Sequence, residues 1–147
     1  MPIWFNPLLN VHDLESFAFQ HIAEYLELKW VEVGTDHLIM SMPVTNKVRQ
    51  PYGLLHGGIS CVLAETIGSI ASALVIDTTK YNCVGLEINA NHVRGVREGL
   101  VYATCSPLHL GKSTHVWDIK IHNEDQKLIC ISRLTVAIIP VSNQNTT

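Results

Sequence analysis

The sequence predicts an α+β domain in which one long helix is wrapped by a curved antiparallel sheet of about six strands. Three observations carry this. Residues 57–76 are nearly all apolar or small, and as a helix at about 1.5 Å per residue they span about 30 Å, the width of a small domain. Two strand-like runs precede them, 28–33 and 37–44, with Gly34-Thr35-Asp36 between, which signals a hairpin. Four more runs follow, at 83–94, 100–108, 113–122 and 128–139, separated by turn signals at 95–99, Leu110-Gly111 and 123–126. Short strands divided by such turns read as an antiparallel sheet.

Taken in order, residues 1–27 read as an irregular and short helical segment. Pro2 and Pro7 keep its start irregular, and Asp13 is placed to cap a helix running toward Tyr25, with Phe17, Ile22 and Leu26 as apolar positions. The main domain spans 28–140, with a polar loop at 45–55, and 141–147 form a flexible tail. In 113–122, Trp117, Ile119 and Ile121 alternate with Asp118 and Lys120, the pattern of a half-solvated antiparallel strand. In 83–94, Val84, Leu86, Ile88 and Ala90 are set against Gly85, Glu87, Asn89 and Asn91. The last run is apolar on both faces and belongs in the middle of the sheet or under cover. The expected order is hairpin, long helix, then meander.

Composition narrows the function. At 147 residues, 47% hydrophobic and 16% charged, the chain is one globular domain with a real core. A net charge of −3 gives no general pull toward nucleic acid or an anionic membrane. Residues 1–15 lack the basic start and apolar core of a secretory leader. The cysteines at 61, 83, 105 and 130 form no Cys-x-x-Cys pair; a reduced, cytoplasmic protein is expected. The eight histidines form no His-Glu-x-x-His or His-x-His motif, so no metal is expected. Gly111-Lys112-Ser113 ends like a phosphate-binding loop, but Ser106 stands where its first glycine belongs and a strand follows. Gly58-Ile59-Ser60-Cys61-Val62 lacks the closing glycine of a nucleophile elbow.

Glu65 is the residue to explain. It sits mid-helix in an apolar run, where a carboxylate must be paired, protonated or functional, and it argues against a membrane span. Ser69 and Ser72, four and seven residues on, share its helical face. Pro51 and Tyr52-Gly53 keep the approach non-helical, and Gly57-Gly58 opens the helix, where free backbone N–H groups and the helix dipole favour negative charge. A carboxylate and an anion-stabilising helix start suggest acyl chemistry. About 12 Å separates them along the helix, too far for one small reacting group, so acting together requires two copies of the helix and hence a dimer.

Gln50-Pro51, Leu54-Leu55-His56-Gly57-Gly58, Leu63 through Ser69, Val84 through His92, Pro107 through Gly111 and Ser132-Arg133-Leu134-Thr135 resemble the hotdog-fold acyl-CoA thioesterases. The resemblance spans roughly 28–140 and is nearest the branch acting on aromatic acyl-CoAs: 1,4-dihydroxy-2-naphthoyl-CoA in menaquinone synthesis, and 4-hydroxybenzoyl-CoA in the Arthrobacter-type enzymes. It implies a homodimer with shared active sites, often a dimer of dimers, and no cofactor beyond coenzyme A as part of the substrate. By position it makes Glu65 the catalytic carboxylate, Gly57 N–H the oxyanion donor, Gln50 and His56 the thioester-positioning pair, and Ser69 a residue that places water or substrate. CoA contacts fall near His92, Arg94, His109, Gly111, Lys112, Ser113 and Arg133. The rival expectations are a hotdog dehydratase acting on 3-hydroxyacyl thioesters and a non-catalytic acyl-CoA binding protein.

Overall fold

The long apolar run is helix α3. The structure, a computed structural model, describes residues 1–16 and 19–142; the apolar position expected at Phe17 and most of the expected tail, from Asn143 on, lie outside them. Helices α1 (Val11–Glu15) and α2 (His21–Tyr25) precede strands β1 (Lys29–Val33) and β2 (Leu38–Pro43). Then come α3 (Gly57–Val75), β3 (Tyr81–His92), β4 (Leu100–Leu110), β5 (Thr114–Asn123) and β6 (Leu128–Pro140). The six strands form one antiparallel sheet in the order β1-β2-β4-β5-β6-β3. Leu63, Ala64, Ile67 and Ala71 of α3 are buried together with Met40, Trp117, Ile119 and Leu134 of the sheet. The α+β architecture, with its single long helix, is the one expected.

The hairpin β1–β2 also stands as expected, and β6 lies inside the sheet, between β5 and β3; its inner face is buried, while Ile131 and Ile139 on its outer face are exposed in the protomer. The meander does not hold throughout. β4, β5 and β6 follow one another, but β3 pairs with β6 and not with β4. The free side of β4 is already taken by β2 over six residue pairs. The chain reaches the far edge along α3 and returns from β3 to β4 through a loop that runs beside the one from β2 to α3. Val44 N–H donates to Gly99 O at 2.8 Å and Leu55 N–H to Val96 O at 2.7 Å.

Near the N-terminus the single helix expected to run toward Tyr25 is two five-residue helices. Asn10, not Asp13, is the N-cap of α1: its side chain accepts from Asp13 N–H at 3.2 Å, and Asp13 returns a bond to Asn10 N–H at 3.0 Å. This reciprocal arrangement satisfies two free donors at once, so Asp13 does its work from inside the helix. The segment is fastened to the domain by buried Trp4, whose Nε1 donates to Gly34 O at 2.7 Å, and by Phe5 N–H donating to Leu74 O at 2.8 Å.

β3 departs from its expected alternation. Its register against β6 shifts between Gly85 and Glu87, the mark of a bulge, and one extra residue swaps the faces. Before the bulge, Cys83 and Gly85 face α3, with Cys83 Sγ 3.7 Å from Ser69 O. After it, Ile88, Ala90 and His92 take that side. Val84 and Leu86 therefore do not share a face with Ile88 and Ala90; they are 50% and 63% exposed. β3 is also a twelve-residue edge strand, and long open edges invite pairing with another chain.

In the hairpin turn, His37 Nδ1 meets Asp36 and Nε2 meets Glu32, each at 3.1 Å. The Asp36 bond is the largest influence raising the His37 pKa; partial burial opposes it and Glu32 adds to the rise. A raised folded-state pKa contributes stability that is complete below the unfolded value of about 6.5 and lost as pH climbs through the folded value. His37→Gln should therefore be less stable than the parent at pH 5.5, with the gap closing by pH 9, as read by urea titration at both pH values.

Candidate active site

The start of α3 is built by a short braced loop. His56 is the N-cap, and its Nδ1 accepts from Gly58 N–H at 2.9 Å. With Nδ1 as acceptor, the neutral ring carries its proton on Nε2 and presents a donor. Gln50 is held by its Oε1 accepting from Tyr52 N–H, which leaves its amide NH2 to donate outward. Gly57, the first residue of α3, has an N–H with no partner inside the helix. Three hydrogen-bond donors of different kinds thus belong to one short stretch of chain.

The brace comes from two arginines. Arg97 Nη1 donates to Tyr52 O at 3.0 Å, and Arg49 Nε donates to Arg97 O at 2.7 Å. Gly53 turns the loop at φ +81°, a left-handed conformation that favours glycine, and a side chain there would meet Arg97. Neither arginine was singled out from the sequence, because a surface arginine bonded to backbone leaves no pattern in the residue order.

Gln50, Leu54, Gly57, His92 and Arg94 line a cavity of about 360 Å³ at this end of α3. His92 reaches it from the end of β3: a side-chain carbon on Gly57 would lie 2.9 Å from His92 Nε2. The structure therefore brings together Gln50, Gly57, His92 and Arg94, with His56 capping the helix beside them.

Glu65 and Ser69 lie further along α3, against the first half of β3. A side-chain carbon on Gly85 would lie 2.7 Å from Glu65 Oε1, so the bare strand backbone at Gly85 makes room for the carboxylate. A glycine inside a strand signals close approach, and this was the available clue to Gly85. Glu65 was expected to be buried, but it is exposed in the protomer, because none of the described residues covers the outer edge of β3. Ser72 was expected on the same face. It is instead fully buried, with Oγ accepting from Trp117 Nε1 at 2.7 Å and lying 3.2 Å from His115 Nδ1. Cys61, one turn before Glu65, has its thiol pKa raised by burial first and then by the Glu65 charge; Cys130 is pushed up to about 11, mainly by burial. Neither thiol is tuned to act as a nucleophile.

Gly85 and His92 are seven residues apart on β3, roughly 23 Å at about 3.3 Å per residue. Within one chain, Glu65 and the donors at the helix start are thus far apart. The remaining predicted residues are scattered. Gly111 and Lys112 line a different cavity, at the other end of α3; His109 stands over Gly111, and exposed Ser113 shares their turn. Arg133 is exposed on the sheet face opposite α3, since its neighbour Leu134 is the residue that meets Gly68 of the helix.

The thioesterase superfamily profile matches residues 52–130. The chain belongs to that superfamily. This thioesterase is 46% identical over 131 residues to the 1,4-dihydroxy-2-naphthoyl-CoA hydrolase of Escherichia coli, covering 89% of this chain and 96% of the relative. It is 44% identical over 132 residues to a proofreading thioesterase of Cronobacter turicensis, covering 89% and 95%. A crystal structure of a point variant of a Pseudomonas aeruginosa thioesterase superposes with a TM-score of 0.89 at 45% identity, covering 95% of this chain and 99% of that one. The protein is a hydrolase of thioesters with the hotdog fold.

The cap at His56 makes a separable contribution to stability. His56→Ala should lower the unfolding free energy by about 1 kcal/mol, the usual worth of an N-cap, whereas His56→Asn should retain most of it. Denaturant unfolding of the two variants measures the difference.

Proposed function

We propose that the thioesterase hydrolyses acyl-CoA, with an aromatic acyl group such as 1,4-dihydroxy-2-naphthoyl as the leading candidate, in active sites shared between two copies of the chain. The observation that carries this reading is the separation of Glu65 from Gly57 along β3, combined with the long open edge of that strand. Antiparallel pairing of β3 with a second copy about Ile88–Asn89 sets Gly85 opposite the partner's His92. Glu65 of one protomer then faces the helix start of the other, and the edge that leaves Glu65 exposed is covered. The aromatic acyl group draws support from the Escherichia coli relative's activity.

In this site the thioester carbonyl oxygen rests against the partner's Gly57 N–H, with the partner's His56 Nε2–H and Gln50 amide orienting the thioester. Glu65, as nucleophile or as base toward water, drives addition to the acyl carbon. Charge collects on the carbonyl oxygen, where the backbone N–H stabilises it. The C–S bond breaks, and sulfur leaves as a thiolate, which needs little help from an acid (thiol pKa about 8.5). On the base route the acid product is released directly; on the nucleophile route water then cleaves the Glu65–acyl anhydride, releasing the acid and restoring the carboxylate. Ser69, one turn from Glu65, lies where water or the acyl group would sit, and His92 and Arg94 lie beside the helix start for the CoA moiety. His56 is committed as a donor by its bond to Gly58, which disfavours the dehydratase reading, where a histidine acts as base.

Glu65→Gln should assemble normally yet lose about 10²–10⁴-fold in turnover of benzoyl-CoA, followed by thiol release. Gly57→Pro removes the N–H at a position where proline suits a helix start, and should lose about 10²–10³-fold. Co-expressing the two inactive chains should restore about a quarter of parent activity, because hybrid dimers hold one complete site; no recovery would rule out sharing. Gly85→Ala should reduce turnover at least tenfold with little change in thermal midpoint, since the added carbon meets only the mobile end of Glu65.

A further inference from the structure

A second cavity, of about 410 Å³, lies at the opposite end of α3 from the donors. Its size falls in the range of sites for small organic molecules. Val75 and Ile76 at the helix end, Leu110 of β4 and Ile138 of β6 give it apolar walls, with Tyr81 and exposed Lys112 at its opening. One polar group belongs to the interior: His115, only 2% exposed, lines the cavity.

The state of His115 follows from its neighbours. An indole N–H can only donate, so Trp117 Nε1 gives its hydrogen to Ser72 Oγ at 2.7 Å. The Ser72 hydroxyl hydrogen is then best placed on His115 Nδ1, 3.2 Å away, which leaves the imidazole proton on Nε2. Burial, and secondarily the charge of His109, lowers the His115 pKa, so the ring is neutral. Among the described residues the one buried side-chain polar atom without a partner is Thr45 Oγ1. Among the described residues His115 Nε2 has no hydrogen bond, yet it is not one of the sealed unpartnered atoms, which fits its opening on the cavity that the ring lines. The Trp117–Ser72–His115 chain thus presents one fixed, uncharged donor at the inner end of an apolar space, with a lysine at the outer end.

We propose that this cavity binds a small organic acid with an apolar body and a hydrogen-bond acceptor at its far end, the acceptor on His115 Nε2–H and the carboxylate beside Lys112. This is a binding role apart from the thioester chemistry assigned to Glu65, and it does not depend on that assignment. None of Ser72, His115 and Trp117 belongs to the site at the start of α3.

The test is calorimetric titration of the intact protein with 4-acetylbenzoate, which has the acceptor, and 4-isopropylbenzoate, which has the same shape without it. 4-Acetylbenzamide serves as the uncharged counterpart. Saturable binding at one site per chain is expected, with 4-acetylbenzoate about tenfold tighter than 4-isopropylbenzoate. His115→Phe should abolish that preference, and Lys112→Ala should abolish the preference for the acid over the amide. Glu65→Gln should bind as the parent does, whether or not it turns over thioesters. Should His115→Phe fail to fold, the Lys112 arm and the parent's acceptor preference decide alone. Absence of saturable binding, parent-like preferences in the variants, loss in Glu65→Gln, or displacement by free coenzyme A would each overturn the proposal.

Discussion

The closeness of α3 to the sheet governs the rest of the molecule. Gly68 on the helix stands where a side-chain carbon would lie 2.6 Å from Leu134 Cδ2, and Gly85 on β3 stands where one would lie 2.7 Å from Glu65 Oε1. One bare position lets the helix settle onto β6; the other lets a carboxylate pass over β3. Adding bulk at Gly68 forces buried Leu134 to move, and packed interiors yield little; adding it at Gly85 displaces the exposed end of Glu65. The helix that supplies the core is therefore also the helix that carries the proposed catalytic carboxylate, and Gly68 and Glu65 lie within a single turn of it.

That arrangement accounts for a carboxylate in an apolar helix without a buried charge in the protomer. Glu65 lies at the sheet's margin, exposed to water, so one chain avoids the desolvation cost of an interior ion. The cost arises only where the margin is covered, which in the proposed assembly is also where the substrate enters. The bulge in β3 belongs to the same design: it changes the strand's facing between Gly85 and Glu87, beside the carboxylate, and bulges recur next to active sites because they re-aim side chains.

Much of this was legible in the residue order. The long helix, the hairpin and every later strand were read from apolar runs and turn residues, since these reflect local periodicity and chain stiffness. The candidate residues on α3 and its approach, Gln50, His56, Gly57 and Glu65, could be proposed from the residue order because they lie within sixteen consecutive positions. The place of β3 beside β6, the phase reversal at Leu86, and the two arginines bracing the loop from Val44 to His56 were not. Each depends on which distant backbone a segment meets, and no local pattern encodes that.

By itself the sequence determined the long helix, the strands and the distance of about 12 Å along the helix between the carboxylate and the helix start, because helical rise is the same in any context. Only the tertiary structure decided which of the candidate residues meet. It put His92 and Arg94 beside Gly57, sent Gly111 and Lys112 to the far end of the helix, turned Arg133 to the other face, and joined Ser72 to His115 and Trp117. The physical reason is that side-chain neighbourhoods are set by strand order and register, which arise from the summed packing of the whole sheet rather than from any one segment of it.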